Sequence, residues 1–158
     1  MTIYSIKNIP NNLDCTVLTY GHFDSIHPGH IRYLKHAKSF GGELVVALRG
    51  DLVKSGRQRF QFTQKERAEA LDLLSITDHI ICLESDELHR LIDQIKPEKL
   101  IFGKEYENTN DKDLLNVIER LKKCGSQIFF HAGEINYASI DLLLDSENVL
   151  INKRKAQL

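Results

Sequence analysis

The sequence predicts an α/β fold: a parallel five-stranded sheet with helices on both faces. Three observations predict it. Stretches with strand patterning alternate with stretches of helical spacing along the chain. Glu43–Leu48 (ELVVAL) is an almost unbroken apolar run, as in a strand buried on both faces. Gly41-Gly42, Pro97 and Gly125 each stand just beyond a helical stretch, where glycine and proline stop helices.

Taken in order, Thr16–Tyr20 is a β-rich run closed by Gly21, the first strand. Gly29–Phe40 sets Ile31, Leu34, Ala37 and Lys38 at helical spacing and ends at Gly41-Gly42. Glu43–Leu48 is the second strand. Arg49–Phe62 is polar and basic without a period, hence a loop. Thr63-Gln64-Lys65-Glu66 is a capping box. It opens a helix to about Ser75 with Ala68, Ala70, Leu71 and Leu74 inward. Asp78–Leu83 is the third strand, and Asp86–Ile95 a helix that stops before Pro97. Lys99–Phe102 is the fourth strand, stopping at Gly103. Asp111–Cys124 is a helix with Leu114, Leu115, Ile118 and Leu121 on one face. Gln127–His131 is the fifth strand and Ala138–Leu144 a short helix. A single domain is expected, with its core over about 15–145 and a polar, basic tail over 146–158.

In such a sheet the loops Gly21–His30, Arg49–Phe62, Gly103–Asn110 and Gly133–Ser139 all follow strands. They share one rim, the one at which open α/β sheets bind ligands.

Bulk properties narrow the function. The chain has 158 residues, 42% hydrophobic and 27% charged, as in a water-soluble globular domain. A net charge of -1 offers no field for nucleic acid or an acidic membrane. No apolar stretch approaches the roughly 20 residues of a membrane span. The start, MTIYSIKNIPNN, lacks the basic-then-apolar order of a secretory signal. Cys15, Cys82 and Cys124 are odd in number and form no CxxC pair, arguing for neither zinc nor a disulfide framework. Reduced thiols and a cytoplasmic location are expected.

The chemistry concentrates in Thr16–Gly41, a strand, a turn and a helix around His27-Pro28-Gly29-His30. Three residues separate the two imidazoles, so both face the same side of a first helical turn. A helix start adds free N–H groups and the positive end of a dipole, and so suits phosphate. His22 lies in the same turn. His36, His79, His89 and His131 have no such setting and read as structural. Asp24 fits a turn former or a metal ligand equally. Ser139 fits a helix cap or a phosphate ligand. Arg57 and Arg59 make the loop after the second strand locally basic.

GHFDSIHPGHIRYLKHAKSFG followed by ELVVALRGD resembles the cytidylyltransferase-like nucleotidyltransferases. That group includes glycerol-3-phosphate cytidylyltransferase and the nucleotidyltransferase domain of the ADP-heptose enzyme. The pattern is G-x-F-D, then H-x-G-H at a helix start, then a strand ending in Asp, and the likeness runs from about Cys15 to Asp141. The resemblance implies a Rossmann-like domain of HxGH type. The implied reaction is nucleotidyl transfer from CTP or ATP, usually with Mg²⁺, to a small phosphorylated polyol or sugar, with release of pyrophosphate. It also implies that a homodimer is possible.

By the same resemblance, His27 and His30 contact the triphosphate and stabilise the transition state. Gly29 lets backbone approach the phosphates, and Tyr20, Gly21, His22, Phe23 and Asp24 belong to the nucleotide pocket. Lys54 reaches phosphate oxygens, and Arg67 clamps the second substrate or the β- and γ-phosphates. Gly103, Lys104, Glu105 and Tyr106 help hold the nucleoside, with Glu105 where relatives mostly carry Asp. Relatives close the site with a segment like R-T-x-G-I-S-T-T, whereas this chain has His131-Ala132-Gly133-Glu134-Ile135-Asn136-Tyr137-Ala138-Ser139. There the arginine and most hydroxyls are missing, and Ser139 and Asn136 remain. Transfer of CMP, or of AMP, is the first expectation. A nucleotide-binding module of the same fold without turnover is the alternative, motivated by that segment.

Overall fold

The computed structural model describes residues 2–51, 60–85, 87–103 and 106–130. Strand β1 (Thr2–Ser5) leads through a 3₁₀ turn (Ile6–Asn8) toward β2 (Val17–Gly21) and helix α1 (Pro28–Ser39). Then come β3 (Leu44–Leu48), α2 (Gln64–Leu74), β4 (His79–Cys82) and α3 (Leu88–Ile95). Strand β5 (Lys99–Phe102), helix α4 (Lys112–Lys123) and strand β6 (Gln127–Phe130) follow. The six strands form one parallel sheet in the order β1-β4-β3-β2-β5-β6.

The fold is the Rossmann-like α/β type predicted, with a sixth strand added. Thr2–Ser5 pairs with His79–Cys82 along the sheet margin. It is four residues long and exposes Thr2 and Ile3, so it carries none of the apolar continuity that marks the inner strands. Helix α3 starts at Leu88, two residues after the expected Asp86, which lies outside the described residues. His131, where the fifth predicted strand was to end, and the Ala138–Leu144 helix also lie outside them.

Residue alternation along the inner strands builds two cores. Val17, Leu44, Val46, Leu48, Ile80 and Ile101 face α1 and α2, meeting Tyr33, Leu34, Ala37, Ala68 and Leu71. Their neighbours Leu18, Tyr20, Val45, Ala47, Ile81, Leu100 and Phe102 face α3 and α4, meeting Leu88, Leu91, Ile92, Leu114, Val117 and Leu121. A strand covered on both faces has no polar side, which is why β3 is apolar throughout.

The strand order sets where a ligand fits. From β2 the chain moves outward through β3 to β4, beside which the earlier β1 lies, with α1 and α2 on one face. It then returns past β2 to β5 and β6, with α3 and α4 on the other. The order therefore reverses between β2 and β5, and loops leaving those strands diverge around a crevice.

The rim loops are closely fitted. A Cβ on Gly50, just after β3, would lie 2.6 Å from the Glu84 carbonyl oxygen and 2.9 Å from that of Leu83. Only glycine lets the loop after β3 pass this close to the loop after β4. Substituting Gly50→Ala is expected to destabilise the fold by about 1–3 kcal/mol, the usual cost of overpacking against backbone. Urea unfolding of the two proteins measures it.

Candidate active site

Helix α1 is capped by its own histidines. His27 is the N-cap, with extended backbone, and its Nδ1 accepts from the Gly29 N–H at 3.0 Å. His30, three residues on, accepts at Nδ1 from the His27 N–H at 3.3 Å. This is a reciprocal capping box written with imidazoles, and Pro28 fills the first helical position. The His27 carbonyl accepts from the His30 and Ile31 N–H groups at 3.0 and 3.3 Å.

One expectation changes here. The first-turn amides, taken from the sequence as free for phosphate, are already bonded within the chain, and Pro28 has none to offer. Nε2, the nitrogen of each ring outside the cap, lies on the far edge, and the His30 ring also bonds the Ser25 backbone. A nitrogen that accepts an N–H carries no proton, so each neutral imidazole bears its own N–H at Nε2. The two rings stack with centroids 3.9 Å apart and planes 22° apart. Both side chains are half-buried.

Burial lowers the pKa of both histidines. His30 falls to about 4, with the neighbouring His27 adding to the shift and a backbone hydrogen bond to Ser25 opposing it. Both rings are therefore neutral at pH 7. A proton on Nδ1 would turn a capping acceptor into a donor facing another N–H.

Phe23 secures this pair from below. It is buried at positive φ, 51°, a backbone state that costs energy outside glycine. Its ring lies 5.2 Å from His30 and stacks on Tyr33 at 6.2 Å with planes 8° apart. A Cβ on Gly21 would come within 3.2 Å of the Phe23 ring. Gly21 thus lets Phe23 fold back over the end of β2.

Arg67 proves to be an internal tie. Its side chain is wholly buried, and a phosphate clamp is expected to reach solvent. Its Nε donates to the Phe62 carbonyl at 3.1 Å. Its Nη1 donates to the carbonyls of His22 at 2.6 Å and Arg49 at 2.9 Å. Its Nη2 donates to Asp51 Oδ1 at 2.8 Å, and the guanidinium lies 4.6 Å over the Phe60 ring. Four of the five N–H donors of an arginine are thus taken by protein groups. One cation joins the loops after β2 and β3 to the start of α2. The sequence held a signal for this. Arg67 sits on the inner stripe of α2 with Ala68 and Leu71, where a merely solvated arginine does not belong.

Asp24 ties the same loops from the other side. Its carboxylate accepts from the Gln61 and Phe62 N–H groups, each at 3.1 Å. The carboxylate thus acts across the chain, on amides just before α2, and not on the backbone of its own turn. His22 accepts at Nε2 from Arg49 Nη1 at 2.8 Å and packs on Phe60 with centroids 4.5 Å apart. Burial, then the Arg49 and Arg67 cations, bring its pKa down to about 4, with Asp24 opposing.

At the crevice itself, Arg49 lies 5.3 Å over the Tyr20 ring. Tyr106 reaches back from the loop after β5 to Tyr20 at 5.9 Å and Phe102 at 5.8 Å. Its N–H bonds to the Gly103 carbonyl at 3.1 Å. The structure therefore assembles Tyr20, Gly21, His22, Phe23, Asp24, His27, Gly29, His30, Gly103 and Tyr106 on the strand C-terminal rim. Lys54, Lys104, Glu105 and Ser139 lie outside the described residues. Arg49, Asp51 and Tyr33 join the rim without having been singled out. Arg49 and Asp51 directly follow a strand, and Tyr33 stands one helical turn after His30.

A family model described as cytidylyltransferase-like matches residues 18–137. The chain belongs to the cytidylyltransferase-like family. It is 37% identical over 106 residues to the bifunctional protein HldE of Helicobacter pylori strain G27, covering 65% of this chain and 23% of that protein. The HldE of Geobacter metallireducens is 38% identical over 93 residues, 57% of this chain and 19% of that protein. The chain thus spans less than a quarter of the length of these relatives. Among solved structures, a lipopolysaccharide core biosynthesis protein from Thermoplasma volcanium superposes with a TM-score of 0.62 at 26% identity. That match covers 78% of this chain and 98% of the other. Pantoate-beta-alanine ligase from Francisella tularensis shares the fold, with a TM-score of 0.52 at 15% identity. Among the described residues, no helix of this family member is long and apolar enough to cross a membrane.

Two outcomes follow from this geometry. Replacing Arg67→Met strands three carbonyls, at a cost of at least about 3 kcal/mol in chemical unfolding. The second concerns pH. In the unfolded chain His22, His27 and His30 take up protons below about pH 6.5, while the folded chain holds them neutral to lower pH. The unfolded state then binds more protons, so stability must fall as pH drops from about 6.5 toward 4. Thermal melting across that range, with NMR titration of the His30 ring, measures both effects.

Proposed function

We propose that this chain is a nucleotidyltransferase. It would move AMP or CMP from its triphosphate to the phosphate of a small sugar or polyol and release pyrophosphate. The observation that carries this reading is the histidine capping pair, two neutral rings each with its proton on Nε2, set at the strand C-terminal rim. Family membership and the likeness to HldE and to a lipopolysaccharide core biosynthesis protein support the reaction class and a sugar-type acceptor.

In the proposed reaction an acceptor phosphate oxygen attacks the α-phosphorus in line. A new P–O bond forms, the α–β bridge breaks, and its electron pair leaves on pyrophosphate. No covalent enzyme intermediate is required, so catalysis is positioning and charge stabilisation. His27 and His30 would donate from Nε2 to oxygens on which charge builds, fixed in place because Nδ1 is held by the helix. Tyr20, Tyr106 and Arg49 would flank the nucleotide. Arg67 and Asp24 would hold the loops that present the histidines. Mg²⁺ would travel on the triphosphate and neutralise part of its charge. It keeps several waters and needs one or two carboxylates at most. Among the described residues no three metal-ligand side chains cluster, and an ion carried this way requires none.

His27→Asn separates chemistry from folding. Asparagine is a strong N-cap, so the helix start is kept while the imidazole donor is lost. Pyrophosphate release with ATP or CTP and a panel of sugar phosphates is expected to drop about 10²–10³-fold, with little change in melting temperature. Normal turnover in this variant refutes the histidine assignment. Nucleotide binding by the unaltered protein without pyrophosphate release from any acceptor supports the non-catalytic module instead.

A further inference from the structure

Two arginines meet at the rim, and the protein binds them differently. Arg67 is wholly buried and gives four donors to protein groups. Arg49, whose carbonyl is one of the acceptors around Arg67, stays half-buried and carries its guanidinium 5.3 Å over the Tyr20 ring. Among the described residues its side chain makes one hydrogen bond, from Nη1 to His22 Nε2 at 2.8 Å, and no ion pair with a carboxylate.

A carboxylate partner would cancel the charge of Arg49. A neutral imidazole directs the guanidinium and leaves the charge intact. That choice has a cost. A neutral ring that accepts at Nε2 carries its proton on Nδ1, and His22 Nδ1 is buried with no hydrogen-bond partner among the described residues. A phenylalanine packed on Phe60 would bear no such cost, so packing does not account for the imidazole. His22 also stands on the loop that carries the histidine cap, next to Phe23, whose ring lies 5.2 Å from His30. Arg49 is thereby tied to the same loop as His27 and His30.

We propose that Arg49 is the cation that holds the triphosphate, and that His22 is a positioning residue that aims it. One bond to a neutral ring sets the direction of the guanidinium over Tyr20. Nε and Nη2 are left for phosphate oxygens, and the long side chain can still shift with its ligand. This inference rests on the nucleotidyltransferase reading above and adds the source of the positive charge that the neutral histidine pair lacks. The His22 ring stays an acceptor at neutral pH, because burial and then the Arg49 and Arg67 cations hold its pKa at about 4 against the opposing Asp24.

Binding of ATP and of CTP with Mg²⁺, read by calorimetry beside melting temperature, tests it. Arg49→Met weakens the triphosphate by about 10–100-fold, the worth of charge-assisted bonds to phosphate. His22→Phe keeps a ring on Phe60 and removes the unpartnered proton. Its melting temperature therefore holds or rises while affinity falls about fivefold. His22→Gln returns an amide oxygen as acceptor and recovers most of that loss. A merely structural His22 gives the reverse, a lower melting temperature with affinity unchanged. Unchanged affinity in Arg49→Met overturns the proposal, and a loss there with none in His22→Phe overturns the aiming. If the unaltered protein binds neither triphosphate, the nucleotidyltransferase reading fails first. Inorganic tripolyphosphate then decides the anion site alone. Binding that Arg49→Met abolishes upholds it, and absent or unaffected binding overturns it.

Discussion

Strand β2 lies between β3 and β5 with all three parallel, and that placement governs the rest of the molecule. Loops leaving β2 and β5 must part, because the helices they feed cover opposite faces of the sheet. Everything the candidate site needs comes from the diverging ends. The loop after β2 carries Phe23, Asp24 and the histidine cap. The loop after β5 carries Gly103 and Tyr106. Strand β3 adds Arg49, which reaches across Tyr20. The sheet supplies the gap and leaves the loops to furnish it.

Loops of this kind drift unless something internal binds them, and the rim solves this with polar ties. Arg67 gathers the His22, Arg49 and Phe62 carbonyls and the Asp51 carboxylate around one buried guanidinium. Gln64, one turn earlier on α2, donates from Nε2 to the Leu48 and Leu83 carbonyls at the ends of β3 and β4. Asp24 holds the Gln61 and Phe62 amides. A planar guanidinium suits such a role, since its donors point in fixed directions and reach several carbonyls at once. The stiffness of the histidine-bearing loop is thereby set by residues that need not touch a ligand.

The layered sheet was legible because burial on both faces writes apolar runs that little else produces. The edge strand was not, since Thr2–Ser5 is short and half-exposed and takes its register only from His79–Cys82. The histidine motif was legible as a capped helix start on the strand C-terminal rim from its position after a strand. Its hydrogen bonds were not, because the sequence shows which residues stand at a helix start but not which of them spend their acceptors on its amides. Arg67 shows the same limit from the opposite side. Its charge reads as a substrate clamp when taken alone. Only its place on the inner stripe of α2, and the carbonyls folded around it, make it a tie. Nothing in one dimension shows that the Tyr33 hydroxyl meets the Tyr20 N–H and the Ile101 carbonyl.

The stacking of His27 on His30 also divides the labour within the site. Two imidazolium ions 3.9 Å apart would repel strongly, and burial penalises each one besides. The pair is therefore suited to donate hydrogen bonds and unsuited to supply positive charge. On the proposed reading a polyphosphate would still need cations, and the chain as a whole carries a net charge of -1. On that reading the charge would come from long side chains such as Arg49, while Arg67 has committed three donors to carbonyls and a fourth to Asp51. Orientation and charge are thus assigned to different residues. Neutral donors held by a helix keep their geometry as phosphate charge develops, and flexible cations can follow it.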